Sequence, residues 1–322
     1  ESKPFVIENG LNGRHIALWN SHGWYYDPTT NTWQWQRPRL FSIVEDTYTT
    51  SIVLPYLVPM LENAGACTFL PRERDIQKKE VVVDNDDPLS HNFILSNSAK
   101  DMWEKDSSGF ANTKRIYWGK DNPFKLGTYL KIKSRKSGLA KATWIPNIPS
   151  DGNYAVYVSY KTVPNSVNDA QYSVYHSGGT TKFSVNQRMG SGTWIYLGTF
   201  HFKKGRNEDS GKVELTNSSK HGGLITADAV RFGGGMGNIG RYPKSSSFPP
   251  PDSVIATSGR ARYLEGARYW LQWAGFSDSI YSPNHGNNEY KDDYMSRGLW
   301  VNALAGGSIR LPNQQGLNIP LD

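Results

Sequence analysis

Gly152-Asn153-Tyr154-Ala155-Val156-Tyr157-Val158-Ser159-Tyr160 places bulky residues at 154, 156, 158 and 160. A period of two is the mark of a β-strand with one face turned to a core. The same grammar returns in Gln171-Tyr172-Ser173-Val174-Tyr175-His176, in Trp194–Phe202 and in Lys212–Thr216, with Gly, Pro and Asn turns between them. Short strands at this spacing predict an antiparallel β-sandwich over residues 97–236. No helix-period segment of useful length interrupts them.

On both sides of this block the pattern changes. Upstream, Arg14-His15-Ile16-Ala17-Leu18-Trp19-Asn20-Ser21-His22-Gly23 reads as a short buried strand that ends in a histidine and a glycine. Residues 24–39 form an aromatic loop. From about Leu40 to Asn63 the apolar spacing predicts an amphipathic helix, kinked or split at Pro55 and Pro59. A second strand, Ala66–Leu70, follows Gly65, which suits the position after a helix. Downstream of the Ser/Pro tract at 244–251, Ala261–Gly275 and Asp292–Leu304 read as helices. Two short α/β fragments could hardly bury cores alone. The fold class is therefore predicted as an α/β domain split in sequence (1–96 and 237–322) with an inserted all-β antiparallel sandwich (97–236). Insertion between neighbouring chain ends is well tolerated.

Composition sets the outer bounds. The chain has 322 residues, 11 Trp, 18 Tyr and a formal net charge of +7. Its aromatic content suits β-structure and sugar contact. The basic charge is dispersed, with only short clusters at Lys131–Lys136 and Lys203–Arg206, and neither sits in a nucleic-acid-binding fingerprint. The single cysteine, Cys67, excludes an intrachain disulfide and reads as a small buried hydrophobe. No apolar run reaches the length of a membrane span. The expected partner is a polymer rather than nucleic acid or membrane, and the chain is expected to be a monomer.

His22 and Glu45 are the leading site candidates. A histidine at a strand tip and a glutamate at a helix start can meet at the carboxyl edge of an α/β sheet, where such folds place their sites. Together they supply two thirds of a His2Glu zinc shell. Zinc would lower the pKa of a bound water and polarise a scissile carbonyl.

Two resemblances sharpen this reading. Ser21-His22-Gly23, Glu45, the Leu-rich run closing on Ala64-Gly65, the strand Ala66–Leu70 and Pro71-Arg72-Glu73-Arg74-Asp75 resemble the N-terminal half of zinc-dependent N-acetylmuramoyl-L-alanine amidases. Asp292–Leu304 resembles that family's Arg-x-x-x-Ala/Val-Asn helix. The resemblance implies zinc held by His22 and Glu45. It also implies a third histidine on a following strand and a general-acid/base glutamate, both expected beyond Asp322. The family's Thr-Arg is Pro71-Arg72 here, which leaves open whether Arg72 or Arg74 takes that arginine's role. The chain then reads as a truncated segment, or as a complete non-catalytic relative in which His285 stands in as ligand.

The second resemblance covers about 130 residues. Ala142–Pro146, Gly152–Tyr160, Tyr172–Gly179, Gln187, Gly192–Phe200 and Ala227–Phe232 resemble the golvesin C-terminal-like domain. That domain recurs beside polysaccharide-degrading enzymes, including proteins labelled xanthan lyase, and it implies a sandwich of carbohydrate-binding style. Two functions are therefore expected. One is a zinc amidase-like hydrolase acting on peptidoglycan or a related extracellular polymer, with Trp24, Tyr25, Tyr26 and Arg72 bordering the substrate. The other is a polysaccharide-binding or polysaccharide-lyase accessory protein, with Trp144 and Trp194 stacking on sugars. Either places the protein outside the cell, in the periplasm or on the cell surface. Glu289, Asp292 and Asp293 read as a solvated helix N-terminus.

Overall fold

The computed structural model of the protein describes residues 10–87, 91–307, 312–313 and 315–322. The strand Gly152–Val158 is its centre, and every residue from Tyr154 to Val158 is buried. The alternation explains where each side chain goes. Tyr154, Val156 and Val158 enter one apolar core, and Ala155 and Tyr157 enter a second. The strand is thus covered on both faces, which a half-solvated antiparallel sheet does not require.

Around it lies a four-stranded antiparallel sheet in the order Ile195–Phe202, Gly152–Val158, Val230–Phe232, Val81–Val83. A five-stranded antiparallel sheet faces it, in the order Gly179–Val185, Ala170–His176, Lys212–Thr216, Lys141–Trp144, Phe93–Ser96. The inward residues of the two sheets, among them Trp144, Tyr172, Val174, Val213 and Leu215, fill the first core. Three further strands, Leu224–Ala227, Gly127–Lys133 and Glu104–Gly109, pair beside them. Two strands of the sandwich, Val81–Val83 and Phe93–Ser96, therefore come from residues upstream of 97.

The second core lies behind the four-stranded sheet. It joins Tyr157 and Trp194 to Tyr269, Trp270, Leu271 and Trp273 of the helix Ala267–Trp273, and to Trp300 and Leu304 of the helix Glu289–Ala305. A buried charge pair stitches the same layers. Arg231 Nη1 lies 2.6 Å from Glu73 Oε2 with both side chains fully buried. The Arg231 guanidinium also lies 3.9 Å from the Tyr157 ring centre and 4.9 Å from that of Trp270.

The α/β expectation survives only as one small unit. His15–Ala17 pairs in parallel with Cys67–Phe69. The crossover between them begins at Glu45, not near Leu40, and contains a π-helical turn at Val53–Leu57 around Pro55. Proline lacks the amide proton that a regular α-ladder needs there, so the ladder slips. An α/β amidase domain is not shown: the architecture is mostly antiparallel β-sheet. The residues read as an aromatic loop instead form a hairpin, Trp24–Asp27 with Thr32–Trp35. The hairpin docks on the C-terminal helices: the Tyr26 amide donates to Tyr269 Oη at 2.8 Å, and the Gly266 amide donates to the Trp24 carbonyl at 2.9 Å. Among the described residues, no helix is long and apolar enough to cross a membrane.

Candidate functional site

The loop after the first strand is tightly held. Asn20, Ser21 and His22 are all buried, and Ser21 takes a positive φ of 85°. Gly23 follows because a Cβ there would stand 2.6 Å from the Glu265 carbonyl carbon. Arg72 then fastens the loop from below. Its guanidinium donates to the carbonyls of Ser21 at 3.0 Å, Tyr263 at 2.8 Å and Glu265 at 2.8 Å, and also to that of His22. Arg72 is itself buried, so it positions the loop and presents no surface to a substrate.

His22 Nδ1 lies 3.5 Å from Asp46 Oδ1, 3.9 Å from Glu45 Oε1 and 3.4 Å from Ser21 Oγ. On the other side of the ring, Arg37 Nη2 is 3.2 Å from Nε2. A guanidinium can only donate, so Nε2 accepts and the ring proton sits on Nδ1, towards the carboxylates. Burial, followed by the charges of Arg297 and Arg37, pushes the imidazole down to about 4, so it is neutral at neutral pH. Burial pushes the Asp46 carboxyl up to about 6. Arg37 Nη1 reaches Tyr290 Oη at 2.7 Å, and Tyr25 packs edge-on to Tyr290 at 5.6 Å. Trp19 stands edge-on to His22 at 5.1 Å and carries the Arg297 guanidinium 3.7 Å from its ring centre.

Do these residues fit zinc? One imidazole nitrogen does face two carboxylates. However, the Arg37 guanidinium lies against both His22 and Glu45, its Nε 3.9 Å from Glu45 Oε2. A fixed cation there opposes a second one. Among the described residues no group of three His, Cys, Asp or Glu side chains is arranged to hold a metal. His285 occupies an exposed turn with φ of 57°.

A second surface feature lies on the 112–121 loop. Trp118 meets Tyr242 at 5.8 Å and Phe248 at 6.2 Å, and Phe248 is 80% exposed. The same loop borders a cavity of about 410 Å³ lined by Lys114, Arg115, Glu80, Arg262 and Trp273.

Residues 105–234 match the Golvesin C-terminal domain. Over 153 residues, 47% of this chain, the sequence is 31% identical to the xanthan lyase of Bacillus sp. (strain GL1). The chain spans only 15% of that relative's length. Among solved structures, Paenibacillus xanthan lyase is 27% identical, with 48% of this chain and 13% of that one covered at a TM-score of 0.36. A family 35 carbohydrate-binding module from Clostridium thermocellum is 14% identical, with 48% of this chain and 97% of that one covered at a TM-score of 0.29.

Within the golvesin-type segment the two expected stacking residues are not on the surface. Trp144 is fully buried and its Nε1 donates to the Asp228 carbonyl at 2.9 Å. Trp194 is 6% exposed, packs on Phe110 at 4.8 Å and Phe124 at 5.2 Å, and borders an apolar cavity of about 610 Å³. Both belong to the cores, so neither offers a face to a polymer. Of the hairpin residues, Tyr25 is joined to the His22 cluster, Tyr26 is buried, and Trp24 is partly covered by Trp35 at 4.7 Å and by Arg260.

Two further readings are corrected. Glu289, Asp292 and Asp293 are buried, not solvated: Arg241 and Arg268 take Glu289, Arg268 takes Asp292, and Arg297 takes Asp293. Cys67 is exposed, on the second strand of the parallel pair. The sequence reading missed Arg37, Asp46, Trp19, Tyr290 and Arg297 as neighbours of His22. Two local signals pointed to members of this set: Asp46 follows Glu45 at a helix start, and Asp293 and Arg297 are four apart on one helix face.

Proposed function

We propose that this chain recognises an extracellular polysaccharide, as a binding partner of polysaccharide-degrading chemistry rather than as an amidase. The 31% identity to a xanthan lyase over 153 residues carries the reading. The golvesin-type match over 105–234 supports it. The Trp118–Tyr242–Phe248 patch supplies what such binding needs: aromatic surface that can lie against the apolar face of a sugar ring, beside Lys114 and Arg115. Under this reading the protein works outside the cell, in the periplasm or on the cell surface.

Affinity electrophoresis tests it. The chain is run through native gels with and without dissolved xanthan, beside Trp118→Ala. Slower migration in the polymer gel, relieved in the variant, is the expected result. Equal mobility of the wild-type chain in both gels would refute polysaccharide recognition.

A further inference from the structure

The Arg37 guanidinium donates no hydrogen bond to a carboxylate, while the Arg37 backbone amide donates to Asp46 Oδ2 at 3.3 Å. Its two bonds through the guanidinium tips go to neutral groups, Tyr290 Oη at 2.7 Å and His22 Nε2 at 3.2 Å. The acid beside it, Glu45, stands 3.9 Å away and its side chain is 59% exposed. Charge-assisted bonds between arginine and carboxylate close to about 2.8 Å and use both arms of the fork. The Arg37 side chain is 41% exposed, so it is reachable from solvent.

The surroundings add to this. Trp19, 41% exposed, adds an aromatic surface beside His22.

A half-exposed guanidinium and a half-exposed indole ring flank His22, and together they suit one kind of ligand. We propose that the surface beside His22 binds a carboxylate-bearing sugar residue, with Arg37 taking the carboxylate and Trp19 meeting the ring. The inference rests on the polysaccharide reading and narrows it to acidic glycans.

The full chain is titrated with sodium D-glucuronate, with D-glucose and with sodium acetate at constant ionic strength. Tryptophan fluorescence and melting temperature are the readouts, the latter rising as ligand binds the folded state. Glucuronate is expected to bind more tightly than glucose or acetate. Arg37→Ala should weaken glucuronate about tenfold or more, and Arg37→Lys should fail to restore it, because an ammonium lacks the fork. An unchanged unliganded melting temperature shows that each variant is folded. Equal affinity for glucuronate and glucose, or an unchanged affinity in Arg37→Ala, overturns the proposal. Acetate binding as tightly as glucuronate overturns the sugar assignment. Should the chain ignore polymer gels yet bind glucuronate through Arg37, the polysaccharide reading fails and this site stands. Should it bind polymer but not glucuronate, the reverse holds.

Discussion

Arg72 Nε donates to the backbone carbonyl of Glu265 at 2.8 Å, across 193 positions of sequence. The same guanidinium holds Ser21 and His22, so one buried side chain ties the N-terminal loop to the turn before the C-terminal helices. Arg72→Ala should therefore destabilise the whole chain, not one region. Several carbonyls would lose their donor, and a loss of about 3 kcal/mol or more is expected in urea denaturation. Arg72→Lys should recover little, since one ammonium cannot span both loops. A change below about 1 kcal/mol would show that the clamp is dispensable.

Trp144 and Trp118 separate core from surface. Trp144→Ala empties a site in the sandwich core and should cost about 3–5 kcal/mol. Trp118→Ala, in the surface patch, should change stability by less than about 1 kcal/mol. The reverse order in denaturant titrations would invert the assignment of which ring is free to touch a polymer.

The alternation in 152–160 was enough to predict a strand and a sandwich. It could not show that the faces of Ala155 and Tyr157 would be covered as well. That cover comes from Trp270 and its neighbours, more than a hundred residues away. The His22 cluster was legible in part for the same reason. Glu45 and Asp46 open a helix and can be placed by pattern. Arg37 follows a hairpin with no periodicity, and Tyr290 comes from a distant helix. The buried acids at 289–293 misled because a charge run normally faces water. Their partners Arg241 and Arg268 are not neighbours in sequence.

His22 should stay neutral well into the acid range. Its folded value, about 4, lies below the usual 6.5 because burial and the nearby arginines disfavour the charged ring. A depressed value means that this group's contribution to stability is complete above 6.5 and is lost as pH falls towards about 4. The side-chain nitrogen resonances assigned to His22 should show no imidazolium at pH about 5.5, a point between those two values. Arg37→Ala should raise the midpoint, since it removes a neighbouring cation. A midpoint near the ordinary value in the wild type would contradict the geometry.

Asp84 gives the opposite sign. Burial, and then the Asp228 carboxylate, push its carboxyl up to about 9, and Asp228 itself is pushed up to about 8. The folded pair therefore keeps protons that the unfolded chain releases above about 4, and stability falls as pH rises through that window towards about 9. Asp84→Asn needs no proton. Its melting temperature should exceed that of the wild type increasingly between pH about 6 and 9. Parallel curves for the two proteins would exclude a protonated Asp84 in the folded chain.

The strands at 81–83 and 93–96 close one edge of each sandwich sheet. The stretch that matches the Golvesin C-terminal domain, 105–234, leaves out both of these edge strands. A gene rearrangement copying only that stretch would deliver two bare ladders of amide and carbonyl groups, each a template for sticking to a neighbouring chain. Successful shuffling of this module must carry its upstream selvedge with it.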